Sequence, residues 1–285
     1  MTRILLTGIN GQVGWELQRT LQPLGEIVAL DRSGFDLTNP DQMRAVLREV
    51  KPTIIVNPAA YTAVDKAESE TGLAMAINGI APGILGEEAK RLDALLVHFS
   101  TDYVFDGSKP TPYMEGDHTA PASSYGSSKL AGELAILATD CRHLIFRTSW
   151  VYGLRGANFL RTMLRLAKER DELRVVADQI GAPTWSRMIA ETVALAIARY
   201  RDQQGIYHCT ASGETSWHGF TETIMAIANK NGMLEKTPPV RRIATADFPT
   251  PAKRPANSRL CCERLLNDFG LAQPEWQRQL QLCLQ

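Results

Sequence analysis

Short aliphatic or β-branched runs punctuate the first half of the chain, at Ile4–Thr7, Ile27–Leu30, Thr53–Asn57, Leu95–Ser100 and Leu144–Thr148. Runs that are continuously apolar rather than alternating suit strands covered on both faces, as in a parallel sheet. Helix-length segments lie between them. Asp41–Val50 follows the capping signal Thr38-Asn39-Pro40, and Ala63–Leu92 is long enough for a helix that breaks near Pro82. This alternation predicts an α/β fold on a doubly wound parallel sheet of the Rossmann type. Beyond about Ser149 the pattern loosens: Pro and Gly gather in Asp178–Trp185 and Phe248–Pro255, while helical stretches at Arg187–Arg201 and Trp217–Asn229 stand apart. The division expected is a sheet domain over residues 1–150 and a smaller lobe over 151–285, with room for the lobe to return a strand or helix to the sheet. There is no repeat and no low-complexity stretch. The loops around Gly107–Pro121, Leu154–Asn158 and Thr245–Ser258 are therefore expected to be ordered and functional, with a substrate cleft between the lobes.

Composition narrows the partners. Of 285 residues, 44% are hydrophobic and 22% charged, ordinary for a globular chain with a large core. Thirty-one Lys and Arg balance thirty-one Asp and Glu, so no net field draws in nucleic acid or an anionic membrane, and a small-molecule partner is favoured. No apolar run reaches the ~20 residues that span a bilayer, and MTRILLTGIN enters a strand pattern with no room for a signal peptide, so a cytoplasmic location is expected. The cysteines, Cys141, Cys209, Cys261, Cys262 and Cys283, are odd in number and lack CxxC spacing. They read as reduced structural thiols rather than a zinc or redox site.

Directly after the first strand comes Thr7-Gly8-Ile9-Asn10-Gly11-Gln12-Val13-Gly14-Trp15-Glu16-Leu17, with glycines in GxxGxxG spacing. Such glycines permit a tight turn, close approach of backbone N–H groups to a pyrophosphate, and tight helix–sheet packing. A plain turn would also account for three glycines; the strand before and the amphipathic helix after favour dinucleotide binding by Gly8, Asn10, Gly11, Gln12, Val13 and Gly14. Asp31 stands about 20 residues beyond the turn, where a carboxylate can bind the adenosine ribose. Arg32 follows, and a guanidinium there can pair with a 2′-phosphate, so both NADPH and NADH are compatible with the pair. An exposed Asp-Arg turn is the alternative. The third strand ends in Asn57-Pro58-Ala59-Ala60-Tyr61-Thr62, whose small residues let a ligand lie against the strand end.

The fourth strand ends in Phe99-Ser100-Thr101-Asp102, which brings hydroxyls to the carboxyl edge of the sheet, where ligands bind in this fold. Further on stands Tyr125-Gly126-Ser127-Ser128-Lys129, leading into the helical run Leu130–Ala138. At i and i+4, Tyr125 and Lys129 share a helix face. A phenol with a reference pKa of ~10 is a poor acid–base group unless a cation stabilises its phenolate, and Lys129 is expected to supply that cation. During reduction of a carbonyl, Tyr125 donates a proton while Thr101 hydrogen-bonds the oxygen, and Lys129 also holds a ribose. A YxxxK match alone is more often a surface tyrosine beside a lysine. Glycine turn, ribose acid, Thr101, Tyr125 and Lys129 in this order give a nicotinamide-dependent short-chain oxidoreductase.

The strings TGxxGQVGWEL, NPAAYTAVDKAE, FSTDYVFDG, FRTSWVYG, DQIGAPT and RPANSRL, with the spaced Asp117, Pro121 and Tyr125-Gly126, resemble the dTDP-4-dehydrorhamnose reductase family, from Arg3 to about Leu260. The resemblance implies NADPH- or NADH-dependent reduction of the C4 ketone of dTDP-6-deoxy-L-lyxo-4-hexulose to dTDP-L-rhamnose, a precursor of cell-surface polysaccharide such as O-antigen. It implies cofactor contacts from Gly11, Gln12, Val13, Asp31, Asp36, Leu37, Ala60, Tyr61 and Thr62, with Ala59 and Ser100 beside them and Tyr125 and Lys129 serving both cofactor and chemistry, and sugar contacts from Thr101, Asp102, Tyr125 and Trp150. On its own, a tryptophan after a buried strand is more often core or cleft wall. Asn257 and Ser258 either reach the nucleotide or cap the next helix. Some members of that family are described as joining into homodimers through a magnesium ion held by glutamates; Glu16 stands at one such position, but Arg187 stands where a second carboxylate is wanted. No metal ligand is assigned, magnesium and a homodimer are left open, and Glu16 is expected to be an ordinary exposed helix residue. Two other readings remain. A sugar-nucleotide dehydratase or epimerase would use the same fold, though Tyr103 holds the place where 4,6-dehydratases carry an acid. A non-catalytic NADP-binding subunit resembling the β subunit of methionine adenosyltransferase would keep the cofactor site without turnover.

Overall fold

The computed structural model describes residues 2–285. The five apolar runs form β1 (Arg3–Leu6), β2 (Glu26–Ala29), β3 (Ile54–Asn57), β4 (Leu95–Thr101) and β5 (His143–Thr148). The second half contributes the short strands β6 (Val151–Tyr152), β7 (Leu173–Val176), β8 (Ile180–Gly181) and β9 (Thr184–Trp185), then β10 (Gly205–His208), β11 (Thr215–Ser216) and β12 (Val240–Ile243). The main sheet runs β10-β5-β4-β3-β1-β2, parallel throughout. Strand order reverses between β1 and β3, which opens a crevice beyond their carboxyl ends.

Helices alternate with these strands: α1 (Gln12–Thr20), α2 (Pro40–Val50), α3 (Thr71–Met75), α4 (Ala81–Leu92), α5 (Ser124–Thr139), α6 (Phe159–Glu169), α7 (Ser186–Ala198) and α8 (Trp217–Lys230). Asn39 caps α2 by accepting from the Gln42 N–H, and Pro40 opens it, as the sequence signal anticipates. Because side chains alternate along a strand, Ile4 and Leu6 pack with Leu17 of α1 and Leu21 at its end on one face, and Leu5 packs with Met43, Leu47 and Leu85 on the other.

Two helical expectations change. The stretch Ala63–Leu92 starts later, at Thr71, after a 3₁₀ turn at Lys66–Glu68, and it widens to a π turn at Ala76–Ile80 before α4. Pro82 lacks an N–H to continue the ladder, and the π turn absorbs the mismatch just ahead of it. The stretch at Arg187–Arg201 does not stand apart. It ends at Ala198 as α7 and buries Ile189, Val193 and Ile197 in the core shared with β1 and α1. Its apolar residues run nearly all round, which suits a helix covered on several sides. A separate core of Tyr152, Leu160, Met163, Phe220, Ile224, Trp276 and Leu280 lies under α6 and α8.

Helix α5 lies close against α4 and the π turn because small residues face it. A Cβ at Gly132 would run into the Asn78 carbonyl oxygen. Alanine for glycine inside a helix ordinarily gains ~1 kcal/mol, whereas overpacking costs about 1–3 kcal/mol or more, so the clash wins. Gly132→Ala is expected to lower the melting temperature by several degrees. An unchanged or higher melting temperature would disprove this contact.

Candidate active site

Past Leu6 the chain turns through Gly8, whose φ of +60° an L side chain rarely adopts and where a Cβ would lie 2.9 Å from the Ala59 backbone. A Cβ at Gly14 would overlap the Gly8 carbonyl oxygen. Gly11 is the N-cap of α1 and offers no side chain to it, which leaves first-turn N–H groups for an anion. Val13 packs on the core, while Gln12 accepts from Asn158 Nδ2 at 2.8 Å and so ties the turn to the Leu154–Asn158 loop. Asn10 is exposed and hydrogen-bonds Asp31.

Asp31 lies two residues past β2 and opens a turn. Its Oδ1 accepts from Ser33 Oγ at 2.6 Å, Ser33 N at 2.9 Å and Gly34 N at 3.3 Å, which hold its carboxyl below the usual range. Arg32 is exposed and 3.9 Å from Asp36, which two Thr38 hydrogen bonds also keep ionised. The Leu37 side chain belongs to the core under α2. Ala59 lies under Gly8, Ala60 is half-buried and Thr62 is exposed. Tyr61 exchanges backbone hydrogen bonds with the Asn78 side chain and donates its hydroxyl to Glu70.

At the end of β4, Ser100, Thr101 and Asp102 are buried. Ser123 caps α5 by accepting from the Gly126 N–H at 3.1 Å, which sets Tyr125 in the first turn and Lys129 one turn on. The Tyr125 hydroxyl lies beside Thr101, and its ring stands edge-on to Tyr103 at 5.5 Å. Thr101 donates its proton to Asp102 Oδ1 at 3.0 Å and accepts from the Tyr103 N–H at 3.2 Å. Burial pushes the Tyr125 phenol above its ordinary value, with Asp102 and Tyr103 adding to it. Lys129 is drawn down to about 8 by burial, and its Nζ donates to the Phe99 carbonyl at 2.6 Å and lies 3.3 Å from His98 Nε2. Here the sequence expectation is corrected. Lys129 engages the sheet through the Phe99 carbonyl, and burial moves the phenol up, against the lowering that its spacing from Lys129 predicts.

Trp150, placed by the sequence as a sugar contact or a cleft wall, adopts φ +48° and stacks on Trp217 at 3.5 Å and 8°. Trp217 Nε1 donates to Gln179 at 3.2 Å. Arg254 donates to the Tyr103 hydroxyl at 3.2 Å and to Asp65 at 2.6 Å, fastening the Thr245–Ser258 loop beside the catalytic hydroxyls. Gln179, Asp65 and Arg254 stand in the strings DQIGAPT, NPAAYTAVDKAE and RPANSRL but were given no role there, and Trp217 carried no site signal in the sequence. Asn257 neither caps a helix nor reaches outward: its amide nitrogen donates to the Lys109 and Thr111 carbonyls. Ser258 is buried beside Asp102 instead. Glu16 is half-buried rather than exposed and lies near Arg187, which itself pairs with Glu191 at 2.9 Å. Among the described residues no cluster of three His, Cys, Asp or Glu is disposed to hold a metal.

Burial lifts the Asp102 carboxyl to about 6 against the hydrogen bonds of Ser258 and Thr101, and its Oδ2 has no partner among the described residues. A carboxyl raised on folding is held preferentially in the protonated form. Its contribution to stability is therefore favourable at acid pH and is lost as pH rises from the unfolded value through 6. Asp102→Asn is expected to raise the melting temperature relative to the parent at pH about 7.5 and to lose that advantage near pH 4. Equal differences at both pH values would refute the assignment.

The family described as RmlD substrate binding domain matches residues 1–285. A dTDP-4-dehydrorhamnose reductase of Burkholderia thailandensis is 49% identical over 99% of this chain and 98% of its own length. That of Escherichia coli K12 is 46% identical over 96% of this chain and 94% of its own. The crystal structure of the Bacillus anthracis dTDP-4-dehydrorhamnose reductase in complex with NADP superposes with a TM-score of 0.93 at 39% identity, covering 99% of each chain.

Proposed function

The chain belongs to the dTDP-4-dehydrorhamnose reductase family, and from that premise we propose that it reduces the C4 ketone of dTDP-6-deoxy-L-lyxo-4-hexulose to dTDP-L-rhamnose with NADPH or NADH. The observation that carries this assignment is the convergence of Thr101, Tyr125 and Lys129 at the carboxyl edge of a sheet whose first turn is a backbone cradle. The cradle fits a dinucleotide: side chains at Gly8 and Gly14 would close it, and the Gly11 end of α1 leaves N–H groups for a pyrophosphate. Asp31 and Arg32 would hold the adenosine ribose and a 2′-phosphate, and the Ala59–Thr62 segment with Ser100 would flank the nicotinamide half.

When bound, the reduced nicotinamide supplies hydride to C4. Oxygen gains charge as that happens, and Tyr125 gives it a proton. A phenol held above its ordinary pKa stays protonated at neutral pH, which a proton donor in reduction requires. The Thr101 hydroxyl, beside Tyr125, turns to steady the oxygen. The Lys129 cation offsets the phenolate left behind and holds the nicotinamide ribose. Asp102 and the Trp150–Trp217 wall would receive the sugar.

The deciding experiment mixes purified protein with NADPH or NADH and the keto sugar, made in place from dTDP-glucose by a dehydratase and an epimerase. Oxidation of the nucleotide with formation of dTDP-rhamnose is expected. Tight cofactor binding without oxidation would point instead to a regulatory subunit or another keto sugar. Tyr125→Phe is expected to lower kcat by about 10²–10⁴-fold with cofactor affinity nearly unchanged, and unchanged turnover would remove its role. Arg32→Ala is expected to weaken NADPH but not NADH, read from the two KM values; parallel changes would exclude a 2′-phosphate contact.

A further inference from the structure

Lys129 has three N–H donors, and the protein engages two of them, through the Phe99 carbonyl at 2.6 Å and His98 Nε2 at 3.3 Å. The His98 Nδ1 lies 3.2 Å from the Asn57 side-chain nitrogen, and Asn57 Oδ1 lies 2.6 Å from Thr7 Oγ1. None of these four residues is more than 2% exposed. A single file of polar groups thus crosses the sheet from β1 through β3 and β4 to α5, amid otherwise aliphatic neighbours such as Leu6, Val56 and Val97. It joins the residue before the glycine turn to the lysine one turn below Tyr125. Buried polar groups without partners are costly, so such a file is held only when every member is satisfied.

The donor count decides how the file is set. An ammonium can only donate, so His98 Nε2 must accept and the neutral ring must carry its hydrogen on Nδ1. That hydrogen needs the Asn57 amide oxygen, and the amide nitrogen then donates to Thr7. The orientation in the structure, with nitrogen toward His98, puts the ring hydrogen on Nε2 and suits an uncharged lysine amine. The two orientations differ by half a turn of an amide whose two ends have the same shape. The charge on Lys129 and the His98 tautomer are therefore linked. Burial and the neighbouring lysine hold His98 well below its ordinary pKa, which keeps the ring neutral in either state.

We propose that His98 is a positioning residue for the reduction: backed by Asn57 and Thr7, it holds the Lys129 ammonium by one N–H and, with Phe99, leaves a single N–H for the ligand side. Its kinetic consequences rest on the reductase assignment; the hydrogen-bond file does not. The other titratable or charged groups around Lys129 are Tyr125 and Glu133 on α5, the latter paired with Arg147 of β5, and Asp102 just past β4.

The test has two arms on the cofactor-loaded protein. In ¹⁵N NMR, His98 of the parent is expected to be neutral with hydrogen on Nδ1 near pH about 6.5; hydrogen on Nε2, or an imidazolium, overturns the proposal. In kinetics, His98→Leu is expected to lose kcat about ten- to a hundredfold while KM for the keto sugar stays within about twofold. The alkaline limb of its pH profile moves down by about one unit, because the ammonium loses an acceptor. His98→Gln, whose amide oxygen can still accept, is expected to recover most of both. Equal losses in the two variants with an unmoved alkaline limb mean packing alone and overturn the proposal. If His98→Leu does not fold, the Gln variant and the spectrum decide. A parent that reduces no keto sugar retires the reductase assignment and leaves the tautomer to decide the file.

Discussion

The buried pair between Glu133 and Arg147 is the fixed point of this molecule. Arg147 Nε and its terminal nitrogen donate to the two Glu133 oxygens at 2.9 and 2.6 Å, with both side chains at 2% exposure or less. Separating such a pair would strand a charge out of water, at about 3–5 kcal/mol, so α5 cannot slide along β5. Tyr125, Lys129 and Glu133 are spaced four residues apart on one helix face. Pinning the last of them sets the height of the other two above the sheet edge. The cap at Ser123 and the contact of Gly126 with the Tyr103 carbonyl then fix the rotation of the first turn.

The same packing sets the chemistry. Burial disfavours the charged form of every ionisable group it encloses, and the three groups at the site all shift toward neutrality: Tyr125 and Asp102 upward, Lys129 downward. The Tyr125 phenol thereby keeps its proton at neutral pH, as a proton donor in reduction requires. The Glu133 carboxylate opposes that fall at Lys129.

The second half of the chain closes the site from the other side. The left-handed backbone at Trp150 redirects its ring onto Trp217, and Gln179 links that wall to Thr245. Asp178 anchors the start of the following loop through Thr245, and Asp65 anchors its end through Arg254. The loop is thus held at both ends by residues from different parts of the chain.

Local pattern alone determined a good deal. The strand runs, the cap at Asn39, the glycine turn and the Tyr125–Lys129 spacing each depend on neighbours within a turn or a strand, and short-range sterics and hydrogen bonding are written in consecutive residues. Tertiary structure decided the rest. The destination of α7, the π turn before Pro82, the Trp150–Trp217 stack, the Arg254–Asp65 latch and the file from Thr7 to Lys129 all join residues distant in sequence. It also added an effect that helix spacing does not carry: burial pushes the Tyr125 phenol up, against the lowering expected from Lys129. Whether a charge stabilises its neighbour depends on where its hydrogens point and how much water remains, and both are properties of the packed interior rather than of the spacing.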